Sequence, residues 1–244
     1  MIEVKNLSKS FGDKNILSNI NFSITQGQAV TIIGKSGVGK SVLLKCLIGL
    51  IKPDLGTIYI DNKLINSMNF KQLQAIRSKI GMVFQFGALF DSLNVSENIS
   101  LALKKLTKLN KDEIQIRVED SLRRVGMEKS EQLMTSELSG GMKKRIGIAR
   151  AIALKPSYLF YDEPTTGLDP IMTDSINRLI NKFQKDGNVT SIIITHEMKT
   201  VRDVADRVLM LNDQKLIFAG NPEEMENVDN IIIRQFINGN SSLD

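Results

Sequence analysis

The 244-residue chain is poor in the features that would mark a secreted, membrane-embedded or nucleic-acid-coating protein. It has one cysteine, Cys46, so a disulfide framework and a cysteine-built zinc site are both excluded on count. Cys46 sits in the apolar stretch Val42-Leu43-Leu44-Lys45-Cys46-Leu47-Ile48, where a buried structural thiol is expected. No apolar run approaches the roughly 20 residues that a bilayer crossing takes. The opening Met1-Ile2-Glu3-Val4 reads as a strand and lacks the basic and apolar regions of a signal peptide. The expectation is a cytosolic chain that reaches a membrane only through a partner. A basic stripe is missing as well. The net charge is +5 and the pI near 9.2, yet Lys and Arg are scattered and the longest basic run is Lys143-Lys144-Arg145. That argues against nucleic acid as a partner. Internal repeats, low-complexity stretches and linkers are absent, and His196 is the only histidine.

What is present is ordinary globular material, 42% apolar and 24% charged. The length suits one large domain or a domain with an inserted subdomain. Strands and helices alternate, which predicts an α/β architecture with crossover connections. Ala29-Val30-Thr31-Ile32-Ile33, Tyr158-Leu159-Phe160-Tyr161 and Ser191-Ile192-Ile193-Ile194 read as buried central strands. Shorter candidates are Thr57 to Ile60, Ile80 to Phe84, Val208 to Leu211 and Lys215 to Phe218, with Asn212-Asp213 as the turn joining the last two. From about Asn94 to Lys155 the pattern is helical, with segments at Leu101-Ala102-Leu103, Ile114 to Val125 and Ser139 to Ala153. In the last, Met142, Ile146, Ala149 and Ala153 form one apolar stripe. The polar end from Asn238 onward is expected to fray.

Three motifs carry chemistry. Gly34-Lys35-Ser36-Gly37-Val38-Gly39-Lys40-Ser41 matches the phosphate-binding pattern G-x-x-x-x-G-K-[ST] between a predicted strand and an apolar helix. Its glycines let backbone N–H groups turn inward, and the helix N-terminus adds positive potential. Lys40 would reach the β- and γ-phosphates of a nucleotide and Ser41 would ligate Mg²⁺. Asp162-Glu163 closes the strand Tyr158 to Tyr161. Adjacent carboxylates there suit a phosphoryl-transfer site, with Asp162 on the Mg²⁺ hydration shell and Glu163 as general base. Leu138-Ser139-Gly140-Gly141-Met142 starts a long helix. Alone it reads as a helix cap. With the other two motifs it becomes a second anion site, and the simplest use for it is the γ-phosphate of a neighbouring molecule.

Taken in order, the phosphate loop, Gln85, Leu138 to Met142, Asp162-Glu163, Leu168-Asp169 and His196 resemble an ABC transporter ATPase subunit, over essentially the whole chain. The resemblance implies an α/β P-loop NTPase core with a mixed sheet, an N-terminal antiparallel β subdomain and an inserted α-helical subdomain. It implies a single domain over about 1–240, with a RecA-like core at about 1–85 and 156–220. The helical subdomain is expected at about 86–155 and a short C-terminal helix at about 228–238. It also implies a head-to-tail dimer with two ATP molecules at the interface. Residue by residue, Phe11 takes the place of the aromatic that stacks on adenine, with Phe for the commoner Tyr. Gln85 would contact Mg²⁺ and the water and sense a permease, and Asp169 would lie in the loop that crosses the dimer. His196 would contact the γ-phosphate and act with Glu163 and Lys40 in catalysis. The chain departs from many members in having Met142 where they have Gln.

Phe84-Gln85-Phe86-Gly87-Ala88-Leu89-Phe90, Glu137 to Met142 and Asp162 to Ile171 are further similar to the ATPases of bacterial lipid-trafficking systems that work with MCE-domain proteins, the Mla type. The tail Arg234-Gln235-Phe236-Ile237-Asn238-Gly239 shares this likeness. It implies an integral-membrane permease, an MCE-domain lipid-binding subunit, and a peripheral place on the cytoplasmic face of the bacterial inner membrane. Phe86, Leu89 and Phe90 either dock a permease helix or pack inside the helical subdomain. An importer of a polar solute such as an amino acid is the alternative within the class. An ABC-type ATPase acting on nucleic acid and a P-loop kinase are the readings outside it.

Overall fold

In the computed structural model, residues 1–187 and 189–239 are described, and they divide into two compact units, 1–76 with 192–239, and 77–191. The expected domain end at 240 lies outside the described residues. Among the described residues no helix is long and apolar enough to cross a membrane.

The first unit opens on β1 (Ile2–Phe11) and β2 (Lys14–Ile24), paired antiparallel with Ile2 opposite Ile24 and Val4 opposite Phe22. All four side chains are buried, so one face of the hairpin is core. After β3 (Ala29–Ile33) and α1 (Lys40–Leu47), strand β4 (Leu55–Ile60) returns antiparallel to β1, placing Ile58 and Ile60 on the same face. The short β5 (Lys63–Leu64) completes the order β2-β1-β4-β5, and α2 (Phe70–Arg77) follows. This antiparallel subdomain was expected, but the long strand β2 was not legible. The register slips where Asn6 and Asn19 take positive φ (50° and 54°), which breaks the two-residue alternation.

The second unit begins with β6 (Ile80–Val83), then α3 (Val95–Leu106), α4 (Lys111–Arg124), α5 (Gly140–Ile152), β7 (Tyr158–Asp162) and α6 (Pro170–Gly187). Strands β6 and β7 run parallel, Ile80 beside Tyr158. Strand β6 stops one residue earlier than expected, and Phe84 is exposed beyond it. Two capping boxes fix the helix starts: Asn94 with Glu97 on α3 and Asn110 with Glu113 on α4. A Cβ on Gly81 would lie 2.6 Å from the Ala151 carbonyl oxygen, so the glycine lets α5 pack against β6 at backbone distance.

Strand β8 (Thr190–Ile194) leads back into the first unit, which closes with α7 (Met198–Val204), β9 (Arg207–Asn212), β10 (Lys215–Gly220), α8 (Pro222–Asn227) and α9 (Ile231–Ile237). Strand β3 runs parallel to β9, and β9 antiparallel to β10, so the sheet of this unit is mixed. The turn between β9 and β10 is Asp213-Gln214, both at positive φ (43° and 67°). It lies one residue past the expected Asn212-Asp213, because Asn212 pairs with Lys215. Ile33, Val201, Val208, Met210, Met225 and Ile233 form a core under α7, α8 and α9. Asn238 and Gly239, expected to fray, donate backbone hydrogen bonds to Arg234 and Phe236 and close α9. Residues 240–244 lie outside the described set.

Candidate active site

The first unit holds the glycine-rich loop between β3 and α1. The loop needs glycine for two different reasons. Gly34 has φ 146°, and a Cβ there would sit 2.3 Å from the Leu211 carbonyl oxygen. Gly37 has φ 77°, yet a Cβ there would meet nothing within 4 Å, so the loop is open on that side. Gly39 caps α1 at φ 109° with no side-chain hydrogen bond, a helix start of the kind that can receive an anion. Lys40 is buried, and its Nζ donates to the carbonyl oxygens of Gly34 (2.6 Å) and Lys35 (3.0 Å). The ammonium is thus held over the loop interior. Lys35, Ser36 and Ser41 are exposed, and Val38 is half-buried.

Phe11, at the end of β1 in the same unit, is 50% exposed, with the Lys9 ammonium 5.2 Å from its ring centroid. A phenyl ring left in water is not a core residue, and its free face suits stacking. His196 follows β8 and is also exposed, so it is not a buried structural histidine. Cys46 is fully buried in α1, and burial pushes its thiol up to about 11.

The second unit, taken by itself, holds Gln85, Ser139-Gly140-Gly141, Asp162, Glu163 and Asp169. Asp162 is the half-buried last residue of β7. Glu163 follows at φ 53°, a left-handed backbone that costs a non-glycine residue about 1–3 kcal/mol. Its carboxylate accepts a hydrogen bond from Thr166 Oγ1 at 2.7 Å. Its carbonyl oxygen accepts one from Lys144 Nζ at 3.1 Å. The same Nζ donates to the carbonyl oxygen of Gln85, which is half-buried. Lys144 therefore brings the backbones of two predicted site residues together. Neither Lys144 nor Thr166 was anticipated. Lys144 stood in the longest basic run, where a solvated face is the usual outcome, yet it is 6% exposed.

Ser139 is exposed and caps α5 by accepting from the Met142 N–H at 3.3 Å. The two glycines after it differ. A Cβ on Gly140 would meet nothing within 4 Å, whereas one on Gly141 would fall 1.8 Å from Met172 Cε. Gly140 is open to a visitor, and Gly141 is a packing requirement. Asp169 Oδ1 accepts from the Ile171 and Met172 N–H groups, both at 2.9 Å, so its local role is the N-cap of α6 ahead of Pro170. Asp-Pro before an apolar helix was a readable cap signal. Phe86 and Phe90 are 81% and 52% exposed, so these two are not packed inside the helices as one expectation had it, while Leu89 is half-buried.

An α/β fold with a glycine phosphate loop at a helix start and a paired acid at a strand end defines a nucleotide-hydrolysing P-loop protein. Residues 17–166 match the ABC transporter family. The chain is 40% identical over 238 residues to the probable ribonucleotide transport ATP-binding protein mkl of Mycobacterium leprae, covering 98% of this chain and 69% of that protein. It is 38% identical over 241 residues to the intermembrane phospholipid transport system ATP-binding protein MlaF of Haemophilus influenzae, covering 99% and 91%. It is 42% identical over 224 residues to the arginine transport ATP-binding protein ArtM of Bacillus subtilis, covering 92% of each. A solved dimeric ATP-binding cassette in a post-hydrolysis state with ADP and Pi has a TM-score of 0.84 and 32% identity, covering 91% of this chain and 99% of that one. The chain belongs to the ABC transporter family, and it is that family's ATP-binding, ATP-hydrolysing component.

Proposed function

We propose that the chain powers a separate integral-membrane permease by closing head-to-tail on a second copy of itself around two ATP molecules. The observation that carries this reading is the open start of α5. Ser139 and Gly140 present an uncrowded helix N-terminus, and one chain's nucleotide does not call for a second such site besides the phosphate loop. The dimeric state of the solved cassette supports it. In this scheme each nucleotide meets Phe11, residues 34–41, Gln85, Asp162, Glu163 and His196 of one chain and Ser139-Gly140-Gly141 of the other, with Asp169 in the crossing loop. Lys40 steadies the β- and γ-phosphates, Glu163 takes the proton of the attacking water, and His196 contacts the γ-phosphate. Ser41, Gln85 and Asp162 offer an alcohol, an amide oxygen and a carboxylate, the hard-oxygen set that Mg²⁺ takes. The ion, when bound, neutralises charge on the phosphates. In domain terms, we assign the RecA-like core to about 1–85 and 156–220, the helical subdomain to about 86–155, and the C-terminal helix to about 228–238.

The exposed Phe86 and Phe90 supply an apolar docking surface for a permease helix. Asn98, fully buried, holds that loop by donating to the carbonyls of Phe90 and Leu93 and accepting from the Phe90 N–H. The cargo we propose is lipid, handled by an MCE-domain partner at the cytoplasmic face of the bacterial inner membrane. Its supports are the motif likeness and the similarity to MlaF along nearly the whole chain. The similarity to ArtM favours an amino-acid importer as the second reading. Co-purification of the chain from native membranes decides between them. An MCE-domain protein in the complex is the expected result, and an amino-acid permease in its place overturns the lipid assignment. For the shared site, Ser139→Arg should abolish hydrolysis while leaving ATP binding intact, and mixing it with Lys40→Ala should restore a measurable rate. A mixture as dead as either variant alone counts against sharing.

A further inference from the structure

Lys144 is a buried cation that the hydrolysis scheme leaves without a task. It lies in α5, five residues past Ser139. Taking an ammonium out of water is costly unless hydrogen bonds repay it. Its Nζ donates to the Gln85 carbonyl, just beyond β6, and to the Glu163 carbonyl, just beyond β7. Both carbonyls lie outside helix and strand ladders, in the two segments that present the proposed catalytic side chains.

The same face of α5 holds the Gln85 segment at two more places. Arg150 donates through Nη1 to the Ala88 carbonyl at 2.7 Å and through Nη2 to the Gly87 carbonyl at 2.8 Å. Between Lys144 and Arg150, a Cβ on Gly147 would come within 3.3 Å of Gly87 Cα, so the helix and this loop touch at backbone distance. Residues 144, 147 and 150 repeat every three positions and face one way. The helix that opens on Ser139-Gly140-Gly141 is thereby fastened to the backbones of Gln85 and Glu163. The strained φ of Glu163 (53°) persists only where its surroundings over-determine it. The bond from Lys144 is one such restraint.

We infer that Lys144 is a positioning residue for hydrolysis: it fixes the backbone of Glu163, and with it the carboxylate held by Thr166, while tying Gln85 to the helix that carries Ser139. This rests on the assignment of Glu163 and Gln85 proposed above. A misplacement of about 1 Å at such a group lowers turnover by about 100-fold without touching nucleotide affinity.

The test compares full-length wild-type protein with Lys144→Met, which keeps the stem and removes the donors, and Lys144→Gln, which keeps two donors on a shorter arm. Steady-state ATPase kinetics, ATP binding and thermal melting are measured on each. Lys144→Met should lose about 10- to 100-fold in kcat with the KM for ATP within about threefold of wild type. Lys144→Gln should fall between them. A kcat within twofold of wild type overturns the inference, and so does a parallel loss of kcat and ATP affinity. If Lys144→Met does not fold at the assay temperature, Lys144→Gln decides by the same criteria. Glu163→Gln, assayed beside them, should hydrolyse almost no ATP; wild-type turnover by that variant would instead sink the assignment of Glu163, which separates the two failures.

Discussion

Replacing Gly140 by alanine separates a functional glycine from a structural one. Gly140 is the first residue of α5, and the added methyl would meet no atom within 4 Å. Alanine is the better helix former by up to about 1 kcal/mol. The melting temperature of Gly140→Ala should therefore hold or rise, by at most about 2–4 °C for a chain of this size. The methyl nonetheless occupies the face where backbone N–H groups would meet a γ-phosphate. Displacing one such donor costs about 100-fold in kcat, and ATP binding to the same chain's phosphate loop should not change. The neighbouring Gly141→Ala is the internal control. Its methyl falls 1.8 Å from Met172 Cε, so Met172 must move, at a cost of about 1–3 kcal/mol for overpacking. Steady-state hydrolysis and melting curves on both variants give the result. Wild-type turnover by Gly140→Ala would refute the phosphate-facing role, and a melting drop of several degrees would refute the open surface.

Three other perturbations follow from the same geometry. Asp169→Ala should lose about 1 kcal/mol of stability through the lost α6 cap, while Asp169→Asn keeps it. Matched activity losses in both, measured beside melting, would assign Asp169 to the reaction as well as to the cap. Thr166→Val removes the hydroxyl that orients Glu163 and should lower kcat about tenfold at unchanged KM, a loss of about 1.5 kcal/mol for a bond to a charged acceptor. An unchanged kcat would dismiss that role. With burial raising its thiol to about 11, Cys46 should resist a thiol reagent at pH 8 in folded protein and react only on unfolding. Rapid labelling of the native chain would contradict the packing around α1.

Legibility in this sequence follows how local each constraint is. The phosphate loop was readable because its demands fall on consecutive residues, including the backbone conformations of Gly34, Gly37 and Gly39. Strands β3, β7 and β8 were readable because continuous burial leaves an unbroken apolar run in each. Strand β2 was hidden by the irregularity at Asn19, which moves its buried face from Leu17 to Ile20 and interrupts the period. The site is divided in the same way. Glu163 could be picked out as a candidate by its place after an apolar strand. Lys144 could not, because its acceptors lie 59 and 19 residues away in the chain. A lysine in a basic run carries no local sign that a fold will bury it. That Phe86 and Phe90 stay outside the helical packing had no local sign either, and is read only from their exposure.

The central claim is that a second copy completes each ATP site, and Glu163→Gln tests it most directly. Removing the carboxylate blocks the proton transfer and leaves the phosphate loop and the Ser139 helix intact, so ATP should stay bound between two chains. Molar mass by light scattering, in saturating ATP and Mg²⁺, should move from one chain of 27.2 kDa to twice that mass and return when ATP is removed. A variant that holds one ATP per chain and stays at the single-chain mass would contradict the account.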